Sequence, residues 1–278
     1  ISIFGTDYPT PDGTGVRALT SNRLDNRYRD DDRYPDWSPD GSLIAFTSDR
    51  ESDHDVYVMN ASGRAVRWVA GVAGDEGFPS WSPDGRRIVF SADYDYGDIF
   101  VVRADGRGRR WITRGGADDT NARWTPDGRL VFDSDRAATA DLEVVTPDGI
   151  ERRTLIGGPG WDTDVAWSWN GERIAFSSSR DGDFDVYVAS ASGGGVRKLT
   201  QNRSADFEPA WSPTGKRIAF IRVQGGLGRL YVMDVDGRRE RQIKLPFDLT
   251  TTDGACCVEW SPDGRRLALE LDSHVYVG

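Results

Sequence analysis

The phrase Trp-Ser-Pro-Asp-Gly stands at Trp37–Gly41 and recurs unchanged at Trp81–Gly85 and Trp260–Gly264. Altered copies stand at Trp124–Gly128, with Thr for Ser, at Trp167–Gly171, reading Trp-Ser-Trp-Asn-Gly, and at Trp211–Gly215, with Thr for Asp. The six tryptophans are 44, 43, 43, 44 and 49 residues apart. A fixed period of about 40–45 residues with strand-like content is the mark of stacked β units, typically propeller blades. A unit this short cannot bury its own apolar face, so neighbouring units must cover one another.

Each repeat reads as four short strands. Strand A ends at the Trp, and the Pro-x-Gly turn after it combines a preset φ with a position that needs positive φ. Strand B is apolar and β-branched (Leu43–Thr47, Arg87–Ser91, Leu130–Asp133, Arg173–Ser177, Arg217–Ile221, Arg266–Glu270). A polar loop leads to strand C (Asp55–Met59, Asp98–Val102, Asp141–Val145, Asp185–Ala189, Arg229–Met233, His274–Val277). A second glycine turn opens strand D, as at Val196–Thr200. The sixth repeat ends after strand C, while residues 12–20 read as a glycine turn and a strand D. The expected fold is therefore all-β, a six-bladed β-propeller of four-stranded antiparallel blades. Residues 1–278 form one domain, and 1–20 complete the blade begun by 255–278. Closing the ring in this way removes sheet edges that invite aggregation. Ile1–Phe4 has the pattern of an extra outer strand.

Pro35-Asp36-Trp37 through Met59, and Ile174-Ala175-Phe176 through Leu199-Thr200, resemble the repeat of TolB-type six-bladed propellers, the WD40-like Tol repeat family. The likeness covers nearly the whole chain. It implies a fold and, more weakly, a role, since such propellers serve as periplasmic scaffolds, as gating domains of peptidases and as sugar lyases. Peptidases of this type join the propeller to a hydrolase domain, and TolB adds an N-terminal domain; neither is visible in these residues. Oligogalacturonate lyases of this shape use a histidine-rich metal site, which His54 and His274 alone cannot supply. The resemblance thus implies a binding scaffold, extracytoplasmic (periplasmic or secreted) and bacterial. Ile1 in place of Met leaves room for a removed leader.

A net charge of −10 argues against nucleic acid as the main partner. No apolar run approaches the roughly 18 residues of a membrane span. Acids collect in the D–A and B–C loops (Asp49, Glu51, Asp53, Asp93, Asp95, Asp181, Asp183) and arginines in the A–B and C–D turns. Five positions before the repeat Trp stand Asp32, Glu76, Asp119, Asp162 and Asp206, with Ala255 in repeat six. At the start of the innermost strand, these carboxylates would ring one mouth of the channel. At about 8 Å apart they repel by about 2 kcal/mol per pair at an effective dielectric of 20. A calcium ion, a basic segment of a protein or peptide partner, or an arginine within each blade would relieve that repulsion. The five are the candidate metal ligands.

The candidate ligand and partner residues are Trp161, Asp164, Glu208, Cys256 and Cys257. Trp161 stands beside Asp162 and could stack on a sugar or a peptide aromatic. The neighbouring Cys256 and Cys257 form either a strained vicinal disulfide or two small apolar thiols. Asp162 with Asp164, and Asp206 with Glu208, lie two apart on one strand and so on one face, an arrangement that can serve acid–base chemistry. The pairs Arg50/Asp55, Arg136/Asp141 and Arg180/Asp185 bracket B–C loops at a spacing expected for internal salt bridges. Trp68 and Trp111 are expected between blades. The function expected is a monomeric, non-enzymatic scaffold holding a protein or peptide at an acidic mouth. The alternatives are a metal-dependent lyase or hydrolase using channel carboxylates, or a carbohydrate-binding propeller.

Overall fold

A computed structural model describes residues 17–20, 31–51, 53–93, 97–136, 139–245, 249–250, 257–271 and 274–277. The described strands fall into six antiparallel sheets, and no described residue is helical. In repeats one to four, strands A to D follow one another across the sheet. Repeat one has Asp32–Trp37, Leu43–Ser48, Asp55–Asn60 and Arg67–Ala70. The others follow suit, for instance Asp162–Trp167, Arg173–Ser178, Asp185–Ser190 and Arg197–Lys198 in repeat four.

The expectation of six four-stranded blades needs correction. Five of the sheets have four strands; the sheet of repeat five has five. Its extra strand, Leu249–Thr250, pairs beside strand C, with Leu227 opposite Thr250. The 49-residue gap between Trp211 and Trp260 holds this insertion. In the remaining sheet, Arg17–Ala18 pairs with the strand His274–Val277, Arg17 opposite Val277. Residues from the two ends of the chain thus share one sheet. The candidate strand at Ile1–Phe4 lies outside the described residues.

Each A–B turn is built the same way. The Gly41 N–H donates to the Ser38 carbonyl at 2.8 Å, the Ser38 hydroxyl donates to Asp40, and the Leu43 N–H donates to the Ser38 hydroxyl. The Gly-to-Ser (or Thr) backbone bond recurs in all six copies. This explains why Ser tolerates only Thr. A fully buried phenylalanine stands in strand B of repeats one to five (Phe46, Phe90, Phe132, Phe176, Phe220). The repeat tryptophans pack against the preceding blade: Trp81 against Ala45 and Val58, Trp124 against Val89 and Val101, Trp37 against Ala268 and Val275. The apolar core is therefore a set of blade-to-blade seams running round the ring.

Trp68 and Trp111 are not wedged between blades. Both are exposed on the outer strands, where the Trp68 indole donates to Asp55 and Trp111 stacks on Phe100 under the Arg114 guanidinium. Short edge strands leave such side chains with only one sheet to lie against.

Candidate functional site

The acids five positions before each Trp are buried and serve their own blades. Asp32 is bound by Arg50 at 2.8 Å, and Asp119 takes two bonds from Arg152, at 2.8 and 2.9 Å. Asp162 binds Arg180, and Asp206 binds Arg222 through two bonds at 2.6 and 2.9 Å. In three of these blades the arginine also donates to the strand-B serine facing the acid (Ser48, Ser134, Ser178). The guanidiniums stack over aromatic rings such as Tyr57, Phe132 and Tyr231. Of the three ways to relieve the repulsion, calcium, a basic partner segment or an arginine within the blade, the arginine is the one present at these four acids. Among the described residues, no group of three His, Cys, Asp or Glu is placed to hold a metal ion.

Two of the expected loop bridges are redrawn by these contacts. Arg50 and Arg180 reach the strand-A acid 18 residues away across the sheet, not the acid five residues on. Asp185 is met instead by Lys198 and Thr200, and Asp55 by the Trp68 indole.

Glu76 has no such arginine. It is buried, accepts the Val72 N–H at 2.7 Å, and its other oxygen finds no donor among the described residues. Burial, then Asp55 beside it, push its pKa from 4.5 up to about 9. The folded chain therefore holds a proton here that the unfolded chain releases above about pH 4.5. This contribution to stability is complete below about pH 4.5 and fades as pH rises toward 9. Glu76→Gln should flatten that decline and raise stability at pH 8 by about 1–3 kcal/mol. Urea unfolding of both proteins at pH 6 and pH 8 checks this; equal slopes with pH would contradict it.

A second repeating position explains the other acids. The residue three before each Trp has a left-handed backbone in every repeat: Tyr34, Phe78, Asn121, Asp164, Glu208 and Cys257 have φ between 51° and 67°. None is glycine, so each copy stores strain on the order of 1 kcal/mol. A bulge accompanies it in repeats one to five, as where pairing jumps from Thr163 to Ala166. The bulge turns the backbone N–H toward the preceding blade. There a side chain accepts it: Glu270 from Tyr34 at 2.9 Å, Asp133 from Asp164 at 3.5 Å, Asp164 from Glu208 at 3.4 Å, and Glu208 from Cys257. This breaks the strand alternation on which the paired-carboxylate reading rested. Asp162 turns to Arg180 in its own blade, whereas Asp164 turns to the next blade. Burial first, then neighbouring negative charge, lift the Glu208 pKa to about 8, and burial also raises those of Asp164 and Asp133.

The cavity lies at the other end of the ring from the acid set. It has a volume of about 1310 Å³, its open mouth included, and runs along the axis between the A strands. Turn prolines Pro39, Pro83, Pro126 and Pro262 surround the mouth, and the exposed Trp169 takes the place of proline in repeat four. Its wall carries Asp36, Ser80, Arg123, Ala166 and Glu259, each directly before its repeat Trp. Burial raises Asp36 to about 6, with Arg123, the Trp81 N–H and Ser80 opposing; burial and Asp36 raise Glu259 to about 8. Arg123 donates only to the Phe78 and Ala122 carbonyls, both at 3.4 Å, and closes no ion pair among the described residues.

Of the candidate ligand residues, Asp164, Glu208 and Cys257 line this cavity. Cys256 lies outside the described residues. Trp161 is 49% exposed at the opposite end, where its backbone N–H donates to the Ser179 hydroxyl. The sequence reading passed over Asp36, Arg123 and Glu259. Their signal is variation: the residue before each Trp runs Asp, Ser, Arg, Ala, Ala, Glu while its neighbours repeat.

Comparison with known proteins agrees with this architecture. The family model described as the TolB beta propeller domain matches residues 33–158 and 148–275. The putative TolB from Agrobacterium tumefaciens is similar, with a TM-score of 0.72 and 24% identity over 88% of this chain and 89% of that one. TolB from Acinetobacter baumannii gives 0.70 and 26% over 77% of this chain and 54% of its own. The fold is shared with an oligogalacturonate lyase bound to manganese, at TM-score 0.61 and 12% identity over 99% of this chain and 96% of that one. No curated protein matches the chain. With both halves of the repeat array matched, the chain belongs to the TolB β-propeller domain family.

Proposed function

We propose that the chain is a non-catalytic scaffold that holds a segment of a protein partner in the axial cavity, entered past Trp169. One observation carries this reading. The cavity wall presents Asp36, Asp164, Glu208 and Glu259 against the single guanidinium of Arg123, so a cationic guest is favoured, its charge drawing the raised carboxyl groups into their ionised form. The TolB relationship supports a protein partner and an extracytoplasmic setting. Calcium has no part in this reading, because four of its five candidate ligands, Asp32, Asp119, Asp162 and Asp206, are matched by arginines.

The test is selection from a displayed random peptide library, followed by titration of the selected peptides. Selected peptides should be rich in Lys and Arg and should bind more weakly as salt rises. Trp169→Ala should weaken them about tenfold, the loss of about 1.4 kcal/mol expected when an exposed aromatic contact is removed. A library with no enrichment, or binders indifferent to Trp169, would overturn the reading.

A further inference from the structure

The carboxylates of the cavity are not equivalent. Glu208 and Asp164 each accept the backbone N–H of the next blade, and Asp36 accepts the Trp81 N–H at 2.6 Å through Oδ2. Glu259 accepts no hydrogen bond from any described residue, and Asp36, which the Ser80 side chain also bonds, lies beside it on the neighbouring blade. Repeat three lies half-way round the ring from repeat six, so Arg123 faces Glu259 across the axis. A guanidinium has five N–H donors, and two long carbonyl contacts leave most of them unused. Opposite walls therefore carry spare acceptors and spare donors that do not meet. The corresponding residues of repeats four and five are Ala166 and Ala210, small apolar side chains that add no polar group between the two walls.

We infer that this gap holds an ammonium group, bound by Glu259 and Asp36, whose own neighbouring oxygen acceptor lies on Arg123. Once an ammonium enters, Asp36 and Glu259 are both ionised against one guanidinium, which leaves one negative charge for it to balance. A group whose ammonium nitrogen and oxygen acceptor are three bonds apart, along N–Cα–C=O, is the amino end of a polypeptide or a free amino acid. The inference rests on the scaffold reading for the polypeptide source and is independent of it for the amino acid.

The experiment is calorimetric titration with three probes: free L-amino acids, random pentapeptides with a free amino end, and the same pentapeptides acetylated. The free-amino pentapeptides should bind, and acetylation should weaken them about tenfold or more. Glu259→Gln and Arg123→Gln should each do likewise toward the free-amino form, while making little difference to the acetylated one. The ligand-free unfolding midpoint of Glu259→Gln should equal or exceed that of the parent, because the carboxylate supports no backbone group. Acetylated pentapeptides binding as well as free ones would overturn the inference and leave the scaffold reading intact. Free amino acids that bind where pentapeptides do not would keep the ammonium site and remove the polypeptide partner. Absence of binding by every amine probe, or indifference to both substitutions, would also overturn it.

Discussion

Replacing Arg222 with Met should cost about 3–5 kcal/mol, the usual penalty for breaking one side of a buried ion pair. Arg222 is 6% exposed and Asp206 is fully buried. The guanidinium also binds Glu240 and stacks over Tyr231 at 4.5 Å. Met keeps much of the apolar stem and ring contact but removes every donor. Asp206 would then retain only the Asn202 amide at 2.7 Å. The penalty comes from the stranded charge more than from the lost attraction. The double replacement Arg222→Met with Asp206→Leu should therefore recover most of the loss, since both charges leave together. Thermal unfolding should place the single variant on the order of 10 °C below the parent. A single variant within about 1 kcal/mol of the parent, or a double variant no better than the single, would refute the pairing as a main support of the blade.

Gly193→Ala should be nearly as damaging, about 3 kcal/mol, for a steric reason. Gly193 lies in the C–D turn of repeat four with φ of 88°, and a Cβ there would fall 2.1 Å from the Leu155 carbonyl oxygen of the preceding blade. That oxygen is backbone and cannot rotate away. Gly195, in the same turn with φ of 69°, has nothing within 4 Å of its Cβ position. Its replacement by Ala should cost only about 1 kcal/mol, from conformational strain alone. Denaturant midpoints of the two variants separate the causes: equal losses would show that close packing of the turn on the neighbouring blade contributes nothing. Gly63, Gly149 and Gly237 face carbonyls at 2.5 to 2.8 Å in the same way, so the seam is a repeated device.

The repeating parts of the sequence were legible because repetition exposes them. The tryptophan spacing gave strand order, the turn chemistry and the shared sheet of Arg17 and Val277. The acid at the start of strand A in five repeats was also visible, but its partner was not. Arg50 lies five residues from Asp55 and eighteen from Asp32, and only the register that sets Asp32 against Ser48 brings the more distant acid within reach. The fifth strand of repeat five showed only as five or six surplus residues before Trp260. The bulge was hidden more deeply. Tyr, Phe, Asn, Asp, Glu and Cys share no propensity for a left-handed backbone, so the geometry belongs to the strand and not to the side chain. Without the bulge, Asp162 and Asp164 seem to share a face. The cavity residues escaped because attention to what recurs passes over Asp36, Arg123 and Glu259, whose position is the one that varies.

The bonds made at the bulges all run in one direction, each amide to a side chain of the blade before it. A head-to-tail bond carries no information about how many members the circle has. Asp164 shows this within one residue: its N–H donates to Asp133 in repeat three, and its carboxylate accepts from Glu208 in repeat five. A gene duplication copying repeat four would supply a carboxylate for the amide after it and an amide for the carboxylate before it. Ancestral rings of other sizes could thus have been reached by gaining or losing whole repeats, with the wedge shape of the apolar seams left to decide which circles close.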